Sequence, residues 1–188
     1  MTKYLEIAYA KPSNRGIIIE KRFIKKYIDK AISERTSLYR STYVYPKDAE
    51  SVAQETNSIK SYTGPKFIDW VVLDIDKGDN TDQHTLDSAK SICMLLEDLE
   101  LDGENYRPYF SGTGYHIHIP ASVFMFRDSE DLPYTVKATM KKLFPYVDLS
   151  ILHRTGIYRV AHTINLKSGL FKVPLFIREL MNYSVNQI

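Results

Sequence analysis

Two aspartates one residue apart close the apolar run Phe67 to Asp76, FIDWVVLDID. Side chains on a strand alternate with a period of two, so Asp74 and Asp76 share one face while Ile75 takes the other. Paired carboxylates repel and resist ionisation unless a cation lies between them, and oxygen ligands of this kind suit Mg²⁺ or Mn²⁺. The competing reading is a strand end that feeds the polar turn Lys77-Gly78-Asp79-Asn80, and so short a motif does not decide between them. A second polar set lies in YFSGTGYHIHIP, where Gly112 and Gly114 let backbone approach a ligand and expose amides that can cradle phosphate oxygens. His116 and His118 share one face of the strand that follows; a histidine there donates to phosphate when protonated or binds a metal when neutral. Asp148, in PYVDLSIL, is either a third carboxylate of the same site or a cap or turn residue. Arg159, His162, Asn165, Lys167 and Lys172 are donors along GIYRVAHTINLKSGLFKVPL, an irregular hairpin turning at Ser168-Gly169. Arginine grips phosphate as a fork and lysine as a point charge. Beside the carboxylates, such donors imply a ligand that brings phosphates and a divalent metal, unless they only solubilise an exposed hairpin.

These side chains need elements to hold them. Phe67 to Asp76 is too short for a membrane span, and its Val, Ile, Leu and aromatic content predicts a central strand buried on both faces. Next, Thr81 and its polar neighbours offer N-capping oxygens, and Leu86, Ala89, Ile92, Cys93, Leu96 and Leu99 form an apolar stripe, so a helix is expected over about Asp82 to Leu99. Tyr106 to Phe110 and Gly114 to Pro120 read as two linked strands. A helix from about Ser129 to Phe144 places Pro133 in its first turn, where a missing N–H costs little. Tyr146 to Leu175 is strand-like and rich in turns, with a last helix after Pro174. Upstream, Glu20 to Arg35 is an amphipathic helix with a basic face, Leu38 to Tyr45 a strand closed by Pro46, and Asp48 to Ile59 a short helix. Gly64-Pro65 is the best internal break. The expected class is α+β: a single domain, 1–188, with an N-terminal α/β lobe at 1–64 and a catalytic lobe at 65–188. In the second lobe the order β, α, β, β, α, β is that of an RRM-like, ferredoxin-like sheet.

With 188 residues, 44% of them hydrophobic, the chain can bury a proper core. Cys93 is the single cysteine, which excludes a disulfide framework and a cysteine-rich zinc module. No structural zinc and an intracellular setting are therefore expected. MTKYLEIAYAKPSNRG has no apolar leader, and no run of about eighteen apolar residues occurs, so no membrane partner is expected either. A formal charge of +2 excludes a histone-like, purely electrostatic binder but permits a local basic groove, and stacking on bases is one use for fourteen tyrosines.

The ordered set VVLDID, FSGTGYHIHIP, YVDLSIL and YRVAHTINLKSGLFKVPL resembles the archaeo-eukaryotic primase superfamily: the catalytic small subunit of primase and its viral and plasmid primase-polymerase relatives. The resemblance covers about Leu38 to Leu175, and four motifs in order are hard to produce by chance. It implies Asp74, Asp76 and Asp148 as catalytic carboxylates holding two Mg²⁺ or Mn²⁺ ions, and Ser111, His116, Arg159 and Lys167 as contacts of an incoming triphosphate. LYRSTYVYPKD is similar to the Arg-Glu-Phe-Ser-Phe element of primase subunits and implies Arg40 near the same phosphates. Asn165 stands where cellular primases often carry a histidine, the turn after Ser111 lacks their arginine, and their zinc-binding cysteines are absent. The triphosphate grip would then be shared differently, in a compact viral, plasmid or bacterial type. The implied activity is template-directed nucleotidyl transfer that makes or extends primers. Nucleoside triphosphates, single-stranded DNA template and primer would be the partners, with a helicase or accessory priming domain as a further one. Two other readings stay open. His116-Ile117-His118 is also the metal motif of rolling-circle replication nucleases, with Tyr134 of a Tyr-x-x-Lys as nucleophile. The other is a non-catalytic nucleotide- or nucleic-acid-binding replication module, which clustered acids without a metal would destabilise.

Overall fold

The computed structural model describes residues 2–56, 58–103 and 105–184. Asn57, inside the expected second helix, and the chain end at Ile188 lie outside them. In chain order the elements are β1 (Tyr4–Tyr9), β2 (Ile17–Glu20), α1 (Ile24–Ser33), β3 (Leu38–Ser41), β4 (Tyr43–Val44), α2 (Asp48–Thr56), β5 (Phe67–Ile68) and β6 (Trp70–Asp76). There follow α3 (Asp82–Asp98), β7 (Arg107–Phe110), β8 (Gly114–Pro120), α4 (Leu132–Leu143), β9 (Ile157–Arg159), β10 (Val173–Pro174) and α5 (Ile177–Asn182). The fold is α+β, with antiparallel sheets and five α-helices among the described residues. One sheet has the order β2-β1-β3-β9, a second β10-β7-β8-β6, and β4 pairs with β5.

The second sheet is built on β6, which pairs with β8 along its length, from Trp70 opposite Pro120 to Asp76 opposite Gly114. Alternation gives the pair two unlike faces. Val71, Leu73, Ile75, Tyr115, Ile117 and Ile119 turn to one side and share a core with Leu86, Ala89, Cys93 and Leu96 of α3 and Leu132, Val136 and Met140 of α4. Burying each large aliphatic side chain stabilises this layer by about 1.5–3 kcal/mol. The expected helix after Asp82 starts as read, because the Thr81 hydroxyl accepts from the His84 backbone N–H at 3.2 Å. Asp74, Asp76, His116 and His118 are left on the opposite face.

Several expectations need correction. β6 is not central in its sheet: opposite β8 its neighbour is reduced to one bridge, Asp74 to Asp148. This bridge stands where the last strand of the expected β, α, β, β, α, β order would lie, and β10 pairs instead with β7 at the far edge. The reason is local. Pro145 offers no N–H, and the Asp148 carboxylate accepts from the backbone N–H and hydroxyl of Ser150, at 2.7 and 2.9 Å, turning the chain into a 3₁₀ turn at Ser150–Leu152. The Leu38 to Tyr45 strand breaks at Thr42, whose N–H and hydroxyl go to the carbonyls of Gly156 and Ile151. The helix expected from Glu20 begins as a 3₁₀ turn, with Glu20 itself ending β2. Gly64-Pro65 does not divide the sheets either, since β9 from the C-terminal part completes the first one. β1 and β2 were not anticipated from the sequence.

Candidate active site

Between the sheets lies a cavity of about 410 Å³, within the usual range of about 300–1,000 Å³ for ligand pockets. Asp74 and Asp76 reach it from β6, and Ser111, Thr113 and His116 from the turn into β8 and the strand itself. Arg159 comes from β9, and Asn165 and Lys167 from the turn beyond it. Asp74, Asp76, Ser111, His116, Arg159, Asn165 and Lys167, all singled out by spacing or motif, are thus brought to one place from separate segments. Asp148 does not line this cavity: it lines a neighbouring pocket of about 630 Å³ to which Asp74 and Asp76 also contribute, its carboxylate turned to Ser150 and its charge felt at Asp76.

The acids are unlike one another. Asp74 is buried, and its Oδ1 lies 3.2 Å from His116 Nε2. Beyond this contact, no other hydrogen-bond partner reaches the oxygen among the described residues. Asp76 sits at the exposed rim, yet partial burial, followed by the charges of Asp74 and Asp148, raises its pKa against the opposing pull of Arg159 and Lys167. Among the described residues no group of three or more His, Cys, Asp or Glu side chains forms a ready cage for a metal. A hard ion such as Mg²⁺ takes one or two carboxylates and completes its shell with water and substrate phosphate, so an open wall carrying Asp74 and Asp76 side by side fits it.

The basic side is partly pre-set. Arg159 is buried, donates to the Ser111 carbonyl, and keeps its Nε without a partner among the described residues. Burial pulls its pKa down, with the nearby Tyr39 side chain and then Asp74 and Asp76 acting the other way. Asn165 shapes the next turn: its Oδ1 accepts from the Lys167 N–H at 3.0 Å, and its backbone pairs with Leu170 and Gly169. His116 is held neutral. Burial first, then the Lys172 ammonium, bring its pKa down to about 4, outweighing Asp74. A neutral ring here still offers one N–H.

Gly112 and Gly114 line a separate pocket of about 290 Å³ and also serve packing. A Cβ on Gly114 would come within 2.3 Å of the Ile75 carbonyl, so glycine is what lets β8 close on β6 beside Asp76. Gly112 has φ +93°, and a Cβ there would meet Ser168 Oγ at 2.9 Å.

Arg40 is not brought to the cavity: it lies 3.7 Å from Asp69 and packs over the Tyr158 ring. His162, exposed and at φ +66°, does not line it. His118 and Lys172 are buried one layer behind His116. Tyr134 is exposed on α4, the helix covering the apolar face of β6 and β8, so the sheet separates it from both histidines. Spacing missed Tyr39, Tyr158 and Lys11 of the cavity wall. Lys11 belongs to the β1–β2 loop, anchored by buried Glu6, which accepts from Arg15 and from the Gly16 N–H at 3.1 Å. The signal available was a buried-strand acid followed by an arginine and a glycine.

No protein-family model matches the chain, and no curated protein does. No described helix is long and apolar enough to cross a membrane.

Proposed function

We propose that this protein is a primase-polymerase of the archaeo-eukaryotic type, which makes or extends primers on single-stranded DNA. The observation that carries the reading is the convergence of Asp74 and Asp76 with Ser111, His116, Arg159, Asn165 and Lys167 on one cavity. The β6-α3-β7-β8-α4 order, with Asp148 bridged to Asp74, supports an RRM-like catalytic sheet, and the first sheet would be the N-terminal lobe.

In this reading a primer 3′-hydroxyl, or the hydroxyl of a first nucleotide, attacks the α-phosphate in line and pyrophosphate leaves. Asp74, Asp76 and Asp148 would hold Mg²⁺ or Mn²⁺, which would activate the attacking hydroxyl and stabilise the leaving oxygens. Arg159 and Lys167 neutralise the β- and γ-phosphates, while Ser111 and the N–H of His116 orient them. Catalysis is then mainly positioning and electrostatics, with the substrate's own charge completing a site that holds unspent donors and acceptors.

The test is a gel assay on single-stranded template with each labelled nucleotide class and each metal. Primer synthesis or extension is expected from the native chain, and none from Asp74→Ala combined with Asp76→Ala. Undiminished products from the double variant would refute the assignment.

A further inference from the structure

Lys172 takes no part in the chemistry above, yet it is fully buried directly behind His116. Its Nζ lies 2.8 Å from His116 Nδ1, 3.1 Å from His118 Nε2 and 2.9 Å from the Arg159 carbonyl oxygen. The ring centroids of Tyr109 and Tyr158 stand 5.0 and 5.3 Å away. All these partners are uncharged. Burial, and then the Arg159 charge, pull the Lys172 pKa well down; against them stand three acceptors matched to the three donors of an ammonium and two aromatic faces that attract a desolvated cation.

An ammonium can only donate. With Lys172 in its charged form, both ring nitrogens that face it are bare, and each ring carries its proton on the other nitrogen. For His116 that is Nε2, the atom 3.2 Å from Asp74 Oδ1 at the cavity wall. We propose that Lys172 is a positioning residue that sets the tautomer and orientation of His116, so that an uncharged imidazole presents an N–H donor to the site. His118 completes the device as the second acceptor. It is held between the rings of Tyr109 and Tyr158, at 4.4 and 5.4 Å, and steadies the ammonium. The same arrangement fills the space between the two histidines with a cation, which disfavours a metal bound by that pair. That the donor serves phosphate oxygens rests on the proposed nucleotide site; the tautomer assignment does not.

The experiment is nitrogen NMR of the full, histidine-labelled chain at neutral pH without ligand, with the two rings assigned from His116→Gln and His118→Phe. The expected spectrum shows His116 protonated on Nε2 and His118 on Nδ1. Lys172→Met keeps the length of the stem and removes the donors. It should give mixed tautomers at His116 and roughly tenfold weaker binding of a magnesium nucleoside triphosphate. Either ring protonated on the nitrogen facing Lys172 in the native chain would overturn the proposal, and so would an unchanged His116 tautomer in Lys172→Met. Should that variant not fold, the native spectrum decides. The expected tautomers in a native chain that binds no triphosphate would uphold the positioning role and remove the nucleotide reading.

Discussion

Asp76 carries the clearest conflict between stability and function at the scale of single residues. Partial burial and the charges of Asp74 and Asp148 raise its pKa, so the folded chain binds this proton more tightly than the unfolded one. Such a group adds stability as pH falls and takes it away as pH rises through the raised value, leaving the full penalty at neutral pH without a cation. Asp76→Asn should therefore raise the melting temperature at pH 7 in chelator-treated buffer. The gain should shrink toward pH 3 and should also shrink when Mg²⁺ is added to the native chain. A variant melting below the native protein at pH 7 would mean that the acids are not strained against one another.

At the scale of elements, the site depends on how closely β8 approaches β6. Gly114 faces Asp76 across the ladder, and a side chain there meets backbone that cannot swing aside. Gly114→Ala should cost about 1–3 kcal/mol in chemical denaturation and displace Asp76, with activity falling further than stability. An unaltered denaturation midpoint would show the strands free to separate. These strands were legible in the sequence because alternation and an apolar stripe are local signals: β8 and α3 lie within a residue of their expected bounds, while the run expected from Phe67 splits, Phe67–Ile68 pairing with β4 and β6 starting at Trp70. The convergence of the acids with Arg159 and Lys167 was implied by family motifs in order and not by any local pattern. What could not be read was set by distant partners. Thr42 breaks a strand because its hydrogen bonds go to residues 151 and 156, Arg40 turns to Asp69, and Lys172, apparently a surface donor of a hairpin, is buried by two histidines from another strand.

Across the whole molecule, the chain crosses between its two sheets in a way that a boundary at Gly64-Pro65 does not capture. β9 pairs with β3, placing Tyr39 opposite Arg159, and the Ser37 hydroxyl donates to the Ile164 carbonyl at 2.6 Å. The cavity exists only where both sheets are in place, since Arg159 belongs to one and Asp74 to the other. Thermal unfolding followed by near- and far-ultraviolet circular dichroism should show a single coincident transition, and a fragment spanning 65–184 should not fold by itself. Two separated transitions would make the lobes independent.

The most direct measurement of the central claim, that acidic and basic walls act on one nucleotide, is calorimetric titration with a non-hydrolysable nucleoside triphosphate in the presence and absence of Mn²⁺. Binding is predicted to require Mn²⁺, to disappear in Asp74→Ala with Asp76→Ala, and to weaken by roughly tenfold or more in Arg159→Ala. Metal-independent binding that survives both changes would contradict the account.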